Sequence, residues 1–144
     1  MPSVFTRIFR RELPARFVHE DDLCGAFLSI APLRPGHTLV VPRVEVDHWL
    51  DLDADLNAHL MTVAQQIGRG QMLAFAPTRV GLMIAGLEVP HVHVHVVPIE
   101  GVHDLDFANA DHRASAASLD DAASRLRQAL AQLTPGGGAG DWAL

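Results

Sequence analysis

The sequence predicts an α+β fold, a mainly antiparallel five-stranded sheet with two main helices on one side. Three observations predict it. Short extended runs follow one another with only turns between them, which suits hairpins better than strand–helix–strand crossovers. Two segments, near Asp51 and Ser118, change to the three- and four-residue spacing of an amphipathic helix. The run HVHVHVVP at 91–98 alternates at period two. That alternation places His91, His93 and His95 on one face of a strand and Val92, Val94 and Val96 on the other.

In chain order, RFVHE at 16–20 reads as the first strand, closed by Asp21 and Asp22 as a turn, and residues 23–30 as the second. Pro32, Pro35 and Gly36 punctuate a loop before HTLVVP at 37–42, the third strand. Leu52, Leu56, Leu60, Val63 and Ile67 mark a helix with Asp51 and Asp53 as caps. It is expected to fray around Gly68 and Gly70 and to stop before Pro77. RVGLMIA at 79–85 is the fourth strand and 91–98 the fifth; the stretch IEGVHDLDFANADHRAS after it is polar and irregular. Ser118 opens a capping box with Asp121. Leu119, Ala123, Leu126, Leu130 and Leu133 then trace a last helix, ended by Thr134-Pro-Gly-Gly-Gly. The organisation expected is one domain over 1–134 and a flexible glycine-rich tail over 135–144, without internal repeats.

Composition excludes several classes. A chain of 144 residues suits one domain with a real core. The net charge of −6, with scattered acidic residues, leaves no footprint for a nucleic-acid backbone. No stretch approaches the roughly 20 apolar residues of a membrane helix. The opening MPSVFTRIFRRELPARF lacks the continuous apolar core of a signal peptide. Cys24 stands alone, so no intrachain disulfide forms, and it reads as a small buried residue. A cytoplasmic protein with no membrane or nucleic-acid partner is the expectation. The basic residues are eleven arginines and no lysine, which removes Walker-type phosphate loops and Schiff-base enzymes.

The histidine row demands a use. Alternate strand positions lie about 6.6–6.8 Å apart, too far for the rings to bond one another but close enough to converge on one small ligand. An ordinary polar strand face would use Thr, Lys or Glu instead. Three uses compete. The row could ligate a transition metal, with Glu88 the nearest carboxylate to complete the set. One imidazole could attack phosphorus while its neighbours handle protons and charge, and His93, flanked on both sides, is best placed for that. Or the face could bind an anion without chemistry.

Beyond these readings, HVHVHVV resembles the signature of the histidine triad (HIT) family, His-φ-His-φ-His-φ-φ with φ apolar. FTRIFRRELPARFVHEDDLCGAFLSIAPLRPGHTLVVPR is similar to that family's N-terminal half, and EVPHVHVHVVP completes a resemblance spanning residues 4–98. The resemblance implies a HIT-like α+β fold that pairs as a homodimer through its sheet. It implies hydrolysis or transfer at the α-phosphate of a nucleotide, with no cofactor or catalytic metal. The branch most resembled is the purine nucleoside phosphoramidases. The alternatives are a dinucleoside polyphosphate hydrolase, or a nucleotide-binding protein with weak or no catalysis. By motif position His93 would form a covalent nucleotidyl-histidine, and His91 and His95 would hydrogen-bond the phosphate and leaving group. Phe5, Phe27, Ile30 and Val89 match the nucleoside site. Ser29 stands where many members place the acidic residue that holds the ribose. His37, in the Gly-His-Thr turn, reads as structural rather than catalytic.

The chain also departs from that pattern. Gly86-Leu87-Glu88 replaces a Gly-Gln-Ser or Gly-Gln-Thr segment, so two phosphate-binding side chains are missing. An ionised carboxylate would repel phosphate, so Glu88 reads either as a proton donor to an amine leaving group or as a residue that points away into solvent. Some members hold a structural zinc; Ser3, Thr6 and Glu45 occupy three of its four places here, with His91 the fourth, so no metal is expected there. His19, His48, His59, His103 and His112 show no partner pattern and read as surface or partly buried residues. Trp49 reads as packing. Trp142 reads as part of a solvated tail, with reach toward the partner's active site the alternative that the resemblance implies.

Overall fold

The computed structural model describes residues 1–133. Five strands, β1 (Phe17–Glu20), β2 (Cys24–Leu28), β3 (Thr38–Pro42), β4 (Arg79–Met83) and β5 (Val94–Ile99), form one sheet in the order β1-β2-β3-β5-β4. Every neighbouring pair is antiparallel. The helices are α1 (Val4–Phe9), α2 (Ala54–Phe75) and α3 (Ala116–Gln132), with short 3-10 turns at Trp49–Asp51, Val102–Leu105 and Phe107–Asn109. The α+β expectation holds. No helix among the described residues is long and apolar enough to cross a membrane.

The period-two reading of the histidine run holds as well. Val92, Val94 and Val96 join Ala26, Leu28 and Val40 on the face covered by Leu60, Val63 and Ile67 of α2 and Ala123, Leu126 and Leu130 of α3. Phe27, Leu39 and Val41 point to the other face, where Phe5 and Ile8 of α1 cover them. The ladder of β5 begins only at Val94, three residues later than the alternation implied. Before it, the Val92 amide donates to the Val46 carbonyl at 2.8 Å, so extended backbone continues without a regular partner strand.

Four expectations need correction. Helix α1 was not legible, because six residues bring only Phe5 and Ile8 to the core and give no readable period. Helix α2 does not fray at Gly68 and Gly70; it runs on to Phe75 and ends at Ala76, in left-handed backbone before Pro77. A Cβ on Gly70 would sit 2.5 Å from Leu130 Cδ2, so this glycine lets α3 close onto α2. Helix α3 starts at Ala116, capped by Ser115, whose hydroxyl accepts from the Ser118 amide at 3.0 Å. Ser118, the expected cap, is therefore inside the first turn. Trp49 is exposed rather than packed. The expected tail and Trp142 lie outside the described residues.

Candidate active site

The three imidazoles lie on the face away from α2 and α3, and their hydrogen bonds fix which nitrogen of each ring carries the proton. The His93 Nδ1 lies 2.8 Å from the His91 carbonyl, which can only accept. Nδ1 is therefore protonated, and in the neutral ring Nε2 keeps its lone pair. No hydrogen bond engages that Nε2 among the described residues.

His95 is oriented by His37. The Leu33 amide donates to His37 Nδ1 at 3.0 Å, so the proton of His37 sits on Nε2. His37 Nε2 in turn lies 2.9 Å from His95 Nδ1 and donates to it, which leaves His95 with its proton on Nε2. Burial, helped by the His95 and His93 rings, holds the His37 pKa down to about 3. Burial and His93 hold that of His95 down to about 4. Both rings are neutral near pH 7, and this relay runs from a backbone amide to a free N–H on His95. His37, bonded on one side to the Leu33 amide and on the other to His95, is placed to set the tautomer of His95.

His91 is committed elsewhere. Its Nε2 donates to the Pro42 carbonyl at 2.8 Å, and its Nδ1 lies 2.6 Å from Ser3 Oγ, which donates to it. Burial lowers its pKa, against the pull of the Pro42 carbonyl and Glu45. Exposure agrees: 0% for His91, against 5% and 7% for His93 and His95. The resemblance implied a phosphate contact from this ring, yet both ring nitrogens are occupied. What His91 offers the site is its carbonyl, which orients His93.

Around His91, Ser3, Thr6 and Glu45 do converge, as a hydrogen-bonded network. The Ser3 amide and Thr6 hydroxyl donate to Glu45 Oε1 at 2.6 and 2.7 Å, and the Thr6 amide donates to Ser3 Oγ at 3.1 Å. The Ser3 amide and the Thr6 hydroxyl hold the Glu45 pKa down at about 2. Two neutral hydroxyls, one carboxylate and an imidazole already bonded to a hydroxyl do not fit a structural zinc.

A cleft of about 620 Å³ opens beside the row, and Phe5, Phe27, Ser29 and Ile30 all line it. Phe5 connects the two, since it also stands edge-on to His93 with ring centroids 4.9 Å apart. Phe27 is buried against Phe5, while Ile30 is 74% exposed and forms the lip. The Ser29 hydroxyl accepts from the Ala31 amide at 3.2 Å and keeps its O–H to donate. Val89 packs against the Phe5 cluster. Arg16 and Asp120, paired at 2.7 Å, also line the cleft and were not anticipated; residues 104 apart give no local signal. Phe107, likewise missed, stands edge-on to His95 at 5.1 Å. Leu87 and Glu88 are exposed, and no hydrogen bond or ion pair among the described residues brings Glu88 to the row.

A sequence profile of the HIT domain matches residues 10–102. The purine nucleoside phosphoramidase of Escherichia coli K12 is 32% identical over 101 residues, 66% of this chain and 85% of that protein. A hypothetical histidine triad nucleotide-binding protein from Sulfolobus tokodaii superposes with a TM-score of 0.79 at 28% identity, over 90% of this chain and 92% of its own. A zinc-bound histidine triad family protein from Mycobacterium smegmatis gives 0.78 at 29% identity, over 90% and 94%. The profile covers well over half of the sequence and includes the whole histidine row, and on that ground this chain belongs to the HIT domain family.

Proposed function

We propose that this protein is a nucleoside phosphoramidase, acting at the α-phosphate of a purine nucleotide through a covalent intermediate on His93. One observation supports this above the rest: the His93 Nδ1–H is held by the His91 carbonyl, so its Nε2 lone pair is free to attack. Attack forms a bond from Nε2 to phosphorus as the bond from phosphorus to the leaving amine breaks, and the amine takes up a proton. Water then attacks the phosphorus, the bond to Nε2 breaks, and nucleoside monophosphate leaves. The Nε2–H of His95 is the neutral donor for a phosphate oxygen as its charge grows. The base sits in the cleft against Phe5, Phe27, Ile30 and Val89, with Ser29 toward the ribose. Glu88, on the exposed segment before the row, would have to swing toward His93 to deliver the proton to the leaving amine. The phosphoramidase activity named for the E. coli relative agrees with this reading.

A second reading, a nucleotide-binding protein with little catalysis, draws on Leu87, which is exposed and whose side chain offers no donor to phosphate. The deciding assay follows nucleoside monophosphate release from an adenosine 5′-phosphoramidate and from a diadenosine polyphosphate, with chelator present, for wild type and His93→Ala. We expect turnover of the phosphoramidate, unchanged by chelator, and a loss of at least about 10³-fold in the variant, as for other covalent nucleophiles. Faster turnover of the diadenosine compound moves the protein to the polyphosphate branch. No turnover of either, with nucleotide still raising the melting temperature, leaves the binding reading.

A further inference from the structure

We propose that His19, Asp21, Cys24 and His59 form a binding site for a zinc-type divalent transition ion, on the opposite side of the sheet from His93 and His95. The four side chains come from three elements and the turn between two of them. His19 is on β1, Asp21 is in the turn, Cys24 opens β2, and His59 reaches in from α2. Their donor atoms meet at one oxygen. Asp21 Oδ2 lies 2.6 Å from His19 Nε2, 2.8 Å from His59 Nε2 and 3.6 Å from Cys24 Sγ. The ligand atoms of His19, Asp21 and Cys24 all fall within 4.8 Å of one another. Bonds of about 2.0–2.3 Å around a tetrahedral zinc put ligand atoms roughly 3.3–3.8 Å apart, so these three need only small movements to take an ion, while His59, outside that group, swings in from its contact with Asp21.

The chemistry of the set matches as well. Imidazole, carboxylate and thiolate are the ordinary ligands of zinc, and oxygen-preferring ions such as magnesium do not select a sulfur. The Asp21 carboxylate is also crowded by donors. Its Oδ1 accepts from the Leu23 and Cys24 amides, both at 2.8 Å, while two imidazoles and a thiol crowd Oδ2. Five donors meet roughly four acceptor sites, and a cation turns that competition into shared ligation. Charge closes too, since one carboxylate and one thiolate neutralise a divalent ion inside a buried pocket, where a net charge would be costly. The thiol proton passes to solvent as Sγ binds. The side chains of His19 and Asp21 are almost fully covered, whereas that of His59 is 29% exposed and leaves a path for the ion.

Cys24 is the single cysteine of the chain, which makes the test specific. Cobalt(II) is titrated into the metal-free full chain under reducing, oxygen-free conditions. A thiolate-to-cobalt charge-transfer band in the near ultraviolet can come only from Cys24. The expected result is that band at one equivalent, with strong visible absorption of a tetrahedral ion, both displaced by zinc. Cys24→Ala should remove the charge-transfer band. His59→Ala, at a partly exposed position, should weaken binding about 10-fold or more with the circular dichroism spectrum unchanged. His93→Ala should leave the spectrum as it is. The proposal is overturned if one equivalent gives no such band, if the visible absorption survives Cys24→Ala, or if it disappears in His93→Ala. In the first case the cluster is a hydrogen-bonded latch on the hairpin.

Discussion

A neutral imidazole can hold its proton on either nitrogen, and a row of three offers eight arrangements of which only some suit an attack on phosphorus. The Pro42 carbonyl on His91, the His91 carbonyl on His93 and the His37 relay on His95 together select one of them. Removing His37 therefore has an effect that packing alone would not give. We expect His37→Leu to lower kcat for the phosphoramidate about 10- to 100-fold with KM nearly unchanged, because His95 is released to the wrong tautomer. His37→Gln, whose amide N–H still donates, should recover part of that loss. Equal losses in both variants would show that His37 only fills space. The same residue sets a pH dependence. Its folded pKa of about 3, and that of about 4 for His95, lie below the 6.5 of a free imidazole. The unfolded chain binds protons that the buried rings refuse, so their contribution to stability is complete above about pH 6.5 and is lost progressively toward pH 3. Thermal melts of wild type from pH 7.5 to 4.5 should fall more steeply than those of His37→Leu. Parallel curves would contradict the assignment.

Helix α2 shows how an element overrides the preference of its residues. Gly68 and Gly70 weaken a helix by about 1 kcal/mol each relative to alanine, yet the helix passes through both. Gln71, fully buried one residue on, donates to the Gly36 and Val96 carbonyls at 3.0 and 2.9 Å and fastens α2 to β5. Gly70 meets Leu130 and Leu126 of α3 with no room for a methyl group, whereas a Cβ on Gly68 meets Val80 at 3.3 Å. Gly70→Ala is therefore expected to destabilise by about 1–2 kcal/mol despite its better propensity. Gly68→Ala should stay within about 0.5 kcal/mol of wild type. Urea denaturation of the two variants separates these outcomes, and a stabilised Gly70→Ala would mean that α2 and α3 pack less closely than described.

For the molecule as a whole, the sheet has an edge at β4 that no other strand pairs among the described residues. Beside it, Met61, Met72 and Leu82 expose apolar surface around a groove of about 540 Å³ between α2 and β4. Edge strands with uncovered apolar neighbours invite a second chain. We expect light scattering to give twice the 15.6 kDa chain mass, and Leu82→Asp to return the protein to one chain while keeping its secondary structure. A wild type that runs as one chain at micromolar concentration would rule the pairing out.

What could be read from the chain order is what neighbours in the chain impose. Period two placed the valines and histidines of 91–98 on opposite faces, and three- and four-residue spacing found α2 and α3, since both follow from backbone geometry alone. The triad row was legible for the same reason. The pairing of His37 with His95, 58 residues apart, was not, nor that of Ser3 with His91, 88 apart, nor the meeting of His19 and His59 at Asp21. Those contacts depend on strand register, on the irregularity between Phe17 and His19 in β1, and on the rotation of α2 against the sheet. Burial of apolar surface across the whole core sets all three, and a local pattern carries no record of which distant residue it will face.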